Sequence, residues 1–252
     1  MLSNPFIIRF SKGSSSWAIH IFKLDDLQKA ISILGLNVPA CTILLLGGAN
    51  KMTQIDKDIV YPFFVNVLAP LANKHKAIVV DAGVDVGVMQ LMGHARAEIQ
   101  ADFPLVGVAV SELLILPGEE IFINKRPIAP EPNHTHFILV PGDNWSSEAS
   151  WLVEAANIVA QEKPLIVIVI NGGDTTLEEL SYATKIKKTV IVVAGSGRLA
   201  DSLDSVIQTE GTNPDQRIKD LIMTGLFSSI NIKDGYNTTQ QKLENLLLEQ
   251  LN

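Results

Sequence analysis

The chain contains a single cysteine, Cys41, among 252 residues, so an intrachain disulfide and a cysteine-based zinc site are both excluded. Positive charge is in deficit: 20 Lys and Arg face 27 Asp and Glu, leaving a net charge of −7. A general nucleic-acid binder needs a cationic face to neutralise phosphates, and that class is therefore set aside. A small phosphorylated ligand is not, because a helix N-terminus and a local arginine suffice for it. Long uninterrupted apolar runs are also missing. The opening segment, MLSNPFIIRFSKGSSSW, lacks the apolar core of a secretory signal. The charge-free stretch Ile59–Asn73 is short and carries Pro62, Asn66 and Pro70, which rules it out as a membrane span. The expectation is a soluble cytoplasmic protein without a membrane partner.

Aromatics make up only 6% of the residues, whereas 47% are hydrophobic, so the apolar load is aliphatic. That composition suits a sheet covered by helices, and the length suits one large α/β domain. Residues 1–16 are expected to be a loose segment preceding a single domain over 17–252.

The stretch from Pro164 to Ala200 organises the reading. It holds two apolar runs, Leu165–Ile170 and Thr189–Val193, each breaking into glycines and then into a helical pattern. Continuous β-branched runs suit strands buried on both faces of a parallel sheet. Further strands are expected at 17–23, 42–46, 77–80, 105–110, 136–140 and 228–232. Helical patterns lie between them, including 55–74, where Pro62 and Pro70 must sit near an end or a kink, and 214–224. Residues 111–135, with Pro117, Pro127, Pro130 and Pro132, have no periodicity and read as an excursion. Strand and helix alternate without a linker. The fold class is therefore α/β, doubly wound, with a mainly parallel sheet and helices on both faces.

In such sheets ligands sit beyond the carboxyl ends of the strands. Glycine breaks follow four expected strands: Gly47-Gly48-Ala49-Asn50, the run Gly83-Val84-Asp85-Val86-Gly87-Val88-Met89, Asn171-Gly172-Gly173-Asp174-Thr175-Thr176, and Gly195-Ser196-Gly197-Arg198. Glycines there let backbone amides approach a ligand, and the helix N-termini behind them favour an anion. A phosphate-bearing nucleotide site on that rim is the resulting expectation, with Met89, Glu179 and Arg198 nearby. Duller readings compete at each position. Asp174 or Thr175 could cap a helix, with Glu178 completing a capping box. Arg198 could pair with Asp201 or Asp204. Residues 195–200 satisfy the G-x-G-x-x-G/A dinucleotide pattern, but late in the chain. His134 and His136 show no third metal ligand, so no metal is expected. Ser146 and Ser196 lack a nucleophile elbow. Leu243, Leu246, Leu247 and Leu251 form one stripe, either core cover or the seam of a homo-oligomer.

Taken together, GGAN at 47–50, DAGVDVGVMQLMG at 81–93, EPNHTHFILV at 131–140, INGGDTTLEE at 170–179 and VVAGSGRLAD at 192–201 resemble the LSDAT domains of the SLOG superfamily. Those are prokaryotic relatives of the N-terminal cytosolic region of melastatin-type transient receptor potential channels. The resemblance implies a Rossmann-like fold that binds a nucleotide derivative such as ADP-ribose, here as a stand-alone sensor. No cofactor is then required beyond the bound nucleotide. The superfamily also includes the Lonely Guy phosphoribohydrolases, whose PGGxGTxxE motif falls on Asn171 to Glu179. Asn171 stands where that motif has proline, and Thr175 where it has glycine. If the chain were such a hydrolase, Glu179 would act on the ribosidic bond and Arg96 or Arg126 would orient the sugar phosphate. A protein-interaction module without a ligand is the third reading.

Overall fold

The computed structural model describes residues 2–11, 13–36, 39–119, 127–209 and 215–251. The chain runs β1 (Phe6–Arg9), β2 (Ser15–His20), α1 (Leu27–Ile33), β3 (Cys41–Gly47), α2 (Gln54–Phe63), α3 (Ala69–Lys74), β4 (Ala77–Asp81), α4 (Gly87–Glu98) and β5 (Leu105–Val110). It continues through β6 (His136–Val140), α5 (Ala149–Ala160), β7 (Leu165–Ile170), α6 (Asp174–Lys185), β8 (Val190–Ala194), α7 (Arg198–Gln208), α8 (Gln216–Ile222), β9 (Phe227–Asn231) and α9 (Tyr236–Leu248).

The nine strands form one sheet in the order β1-β2-β6-β5-β4-β3-β7-β8-β9. All pairs are parallel except β1 with β2. From β3 the chain first steps outward through β4 and β5, and later returns to place β7 on the other side of β3. The reversal lies between β3 and β7, which share six register partners from Thr42↔Leu165 to Gly47↔Ile170. Alternation along these strands sends side chains to both faces. Ile43, Leu45, Ile166 and Ile168 join a core with α2, α3, α4 and α9, while Leu44, Leu46, Val167 and Val169 join one with α1, α5, α6, α7 and α8. The fold is Rossmann-like and doubly wound.

One sequence expectation needs correction here. The segment before residue 17 is not loose: Phe6–Arg9 pairs antiparallel with Ser15–His20, with Ile8 buried. Its short apolar run was outweighed in the sequence by the Ser- and Gly-rich turn beside it. The helical stretch after β3 runs as expected, with Pro62 in the last turn of α2 and Pro70 in the first turn of α3, and a π-helical turn, Phe64–Leu68, joins the two. A proline lacks the amide donor of a regular turn, so a change of hydrogen-bond register there relieves the conflict. On α9, Leu243 and Leu247 are buried and Leu246 packs against the core, as the core-cover reading of that stripe expects. Leu251's side chain and Pro214, where the eighth helix was expected to begin, lie outside the described residues. Among the described residues no helix is long and apolar enough to cross a membrane.

Candidate functional site

Because β3, β4, β7 and β8 are parallel, their four glycine turns emerge on one rim of the sheet. A cavity of about 250 Å³ opens there, at the reversal between β3 and β7. Its wall includes Gly47, Gly48, Asn50, Met89, Gly173, Thr175, Thr176, Glu179 and Arg198 among the residues singled out from sequence. Lys51, Trp145, Glu148 and Asp174, the last paired with Arg217 at 3.3 Å, add to its polar and aromatic lining, and Leu45, Leu46, Val84, Ile128 and Leu152 to its apolar part.

The anion-favouring end is the start of α6. Its N-cap is Gly173, and no side chain caps it. The capping-box reading of Asp174, Thr175 and Glu178 is therefore set aside. The first amides of a helix have no intrahelical partner, and their dipoles converge on whatever lies beyond. Thr176 Oγ1 instead donates to the Gly47 carbonyl at 3.1 Å, tying α6 to the end of β3. Arg198 reaches over this helix start from the next turn. Its Nη1 donates to Asn171 Oδ1 at 3.2 Å. Its Nη2 comes so near Gly173 that a Cβ there would lie 2.6 Å from it. Asp201 accepts instead from the Gly195 amide at 2.7 Å, and Asp204 from the Ser229 hydroxyl. Among the described residues Arg198 forms no ion pair.

Asn171 holds the two turns together. Its amide donates to Ser196 Oγ and its Nδ2 to the Ser196 carbonyl, both at 2.8 Å, and its own carbonyl accepts from Ala200 N–H at 2.9 Å. Among the described non-glycine residues with positive φ, Lys76, Gln100, Gln161 and Lys187 follow helix C-termini. The other two are Asn171 and Arg198, at φ 59° and 52°, both in turns from strand to helix. Asparagine tolerates that region, and a non-glycine residue held there in a strand-to-helix turn marks a constrained backbone.

Two carboxyl groups form the floor. Glu179 is buried, and burial together with the neighbouring Glu148 and Glu178 holds its pKa well above the ordinary carboxylate value. Glu148 is buried too, and desolvation outweighs its backbone hydrogen bond and pushes its pKa up to about 7. Glu148 escaped the sequence reading because an acid just before a helix reads as ordinary dipole compensation.

The remaining predicted positions sit behind the wall. Gly87, at φ 56°, lets α4 start against the loop after β3: a Cβ there would lie 1.9 Å from the Gly48 carbonyl oxygen. Gly83 lies Cα to Cα against Gly107 under the Phe137 ring. Asp85 accepts from Gln90 Nε2 at 3.0 Å. Gly172, Gly195, Ser196 and Gly197 shape the turns without lining the cavity. Arg96 donates to the Phe103 carbonyl at 2.8 Å, and it does not line the cavity. Arg126 lies outside the described residues.

Beside this site lies a buried charged cluster. His134 is held between Asp81 Oδ1 at Nε2 and Glu131 Oε2 at Nδ1, each at 2.8 Å. Asp85, His94 and Glu131 also place one ligand atom each within 4.8 Å of one another. Glu131 is already engaged by His134 and Asn133, and Asp85 by Gln90, so these atoms are not arranged as a free metal shell.

Comparison with known proteins agrees with this architecture. The family described as SLOG in TRPM, prokaryote, matches residues 40–241. Transient receptor potential cation channel subfamily M member 2 of Rattus norvegicus is 24% identical over 233 residues, covering 79% of this chain and 15% of the channel. The Mus musculus protein of the same name is 24% identical over 206 residues, covering 68% of this chain and 14% of its own length. The chain thus spans about one seventh of the channels it matches.

Proposed function

This chain belongs to the family SLOG in TRPM, prokaryote, and from that premise we propose that its cavity binds a phosphorylated nucleoside and that the protein acts as a nucleotide-responsive binding domain. The observation that carries the reading is the uncapped start of α6, lining the cavity beside Lys51 and Arg198, the latter without an ion pair among the described residues. Amide dipoles and two cations line this end of the cavity, where negative charge fits, and the Asp174 carboxylate there is engaged by Arg217. Trp145 offers an aromatic wall for a base. ADP-ribose and related diphosphates are the first ligands to try, because the sequence motifs resemble those of nucleotide-derivative sensors.

Calorimetric titration of the full chain against ADP-ribose, NAD, AMP and cytokinin-type monophosphates tests this. Arg198→Ala should weaken the ligand that binds by about 30- to 1,000-fold, from loss of roughly 2–4 kcal/mol of charge-assisted hydrogen bonding. The unfolding temperature of the unliganded protein should hardly move, because an exposed cation without an ion pair contributes little to stability. A destabilised protein with unchanged affinity would overturn the reading.

A second reading, N-ribosidic hydrolysis, is favoured by the placement of Glu179 in the cavity wall. A buried carboxyl whose pKa is raised favours the proton-carrying form, which can protonate the departing base as the C1′–N bond breaks, while water adds at C1′ and returns its proton to the carboxylate. The same panel, assayed for free base, decides it: release must occur and must vanish in Glu179→Gln with binding retained.

A further inference from the structure

Three buried side-chain atoms have no hydrogen-bond partner among the described residues: Thr42 Oγ1, Asp81 Oδ2 and Glu148 Oε2. Of these residues only Glu148 lines the cavity. It is 4% exposed and occupies the N-cap position of α5, yet its side chain caps nothing. A buried acceptor normally has a partner, and a carboxyl group that lines a cavity with one oxygen unpartnered points to a donor that arrives with the ligand. No described donor bonds that oxygen, the Glu179 carboxyl included, and Leu45, Leu46, Ile128 and Leu152 of the wall are apolar.

The spacing fits a particular donor. Along α6, Glu179 lies five residues beyond Asp174, about 7.5 Å along the axis at 1.5 Å per residue. An anion at the helix start therefore stands about one sugar's length from the floor, where Glu179 meets Glu148 from the adjoining helix. Arg198 and Lys51 serve the anion end. The floor thus offers hydrogen-bond acceptors where a 5′-nucleotide carries its ribose hydroxyls.

Resting on the reading that a phosphorylated nucleoside occupies this cavity, we propose that Glu148 is a specificity-determining residue that accepts a hydrogen bond from a ribose hydroxyl through Oε2. It selects ribonucleotides over deoxyribonucleotides, while the phosphate end binds both. A carboxyl acceptor suits a hydroxyl donor in either protonation state, because each keeps an oxygen lone pair free.

Titration of the full chain with AMP, 2′-deoxy-AMP and 3′-deoxy-AMP tests the assignment. The wild type should prefer AMP over one deoxy analogue by about ten- to a hundredfold. Glu148→Met keeps the volume and removes the acceptor, so it should bind all three with the weaker, deoxy-like affinity. Its unliganded unfolding temperature should not fall, since the change removes an unpartnered buried acid. Glu148→Gln keeps one acceptor oxygen and should retain part of the preference, and Glu148→Ala repeats the test by deletion. Equal wild-type binding of all three nucleotides, or a preference that survives in Glu148→Met and Glu148→Ala, overturns this assignment while leaving the phosphate-binding reading intact. Absence of binding by any phosphorylated nucleoside overturns both.

Discussion

Replacing His134 by leucine tests the charged cluster beside the cavity. In the folded protein burial pulls the imidazole toward its neutral form, but Asp81 and Glu131 together outweigh burial and raise its pKa from 6.5 to about 9. That difference corresponds to about 3 kcal/mol favouring the folded imidazolium. Because the folded pKa is the higher one, the folded state binds more protons between these values. The stabilisation is fully present below pH 6.5 and is lost as pH rises through about 9. His134→Leu removes the cation between two buried carboxylates, and breaking a buried pair in this way costs about 3–5 kcal/mol. At about 2–4 °C per kcal/mol for a chain of this size, the unfolding temperature at pH 6.5 should drop by roughly 6–20 °C. Urea unfolding at intervals from pH 6 to pH 9 measures both quantities. The wild-type midpoint should fall steadily across the range, and the variant should lack that alkaline decline. A wild type whose stability is flat over the window, or a variant with the same slope, would refute a buried imidazolium bridging the two acids.

Two further outcomes follow from the site. Gly87→Ala should destabilise the protein by about 2–4 kcal/mol in urea unfolding, because its Cβ would strike the Gly48 carbonyl that also accepts from Val88 N–H at 2.9 Å; a loss below about 1 kcal/mol would contradict the close approach. Glu148 has a raised folded pKa, so its burial weakens the fold progressively as pH rises from 4.5 through about 7. Glu148→Met should therefore be stabilised relative to wild type by up to about 3 kcal/mol at pH 7.5 and hardly at all at pH 4.5, and an equal offset at both pH values would refute the assignment.

Much of the architecture was legible because it is local. The run Leu165–Ile170 is a strand to the residue, and Leu105–Val110 and His136–Val140 likewise, since uninterrupted β-branched runs have few other uses. Parallel strands share a direction, so glycine turns at their ends had to share a rim. What each turn does there was not legible. Gly47, Gly48 and Gly173 reach the cavity, while Gly83 and Gly87 are occupied by contacts with Gly107 and the Gly48 carbonyl. These partners lie twenty or more residues away in the chain, and only the crossovers bring them together. The same holds for Glu148 and Glu179, which come from helices on either side of β7. Whether a carboxyl group is a solvated cap or a buried acceptor depends on the atoms that displace its water. Residue type and spacing determined where helices and strands form; packing across the sheet decided which of their polar groups face the cavity and which hold its walls.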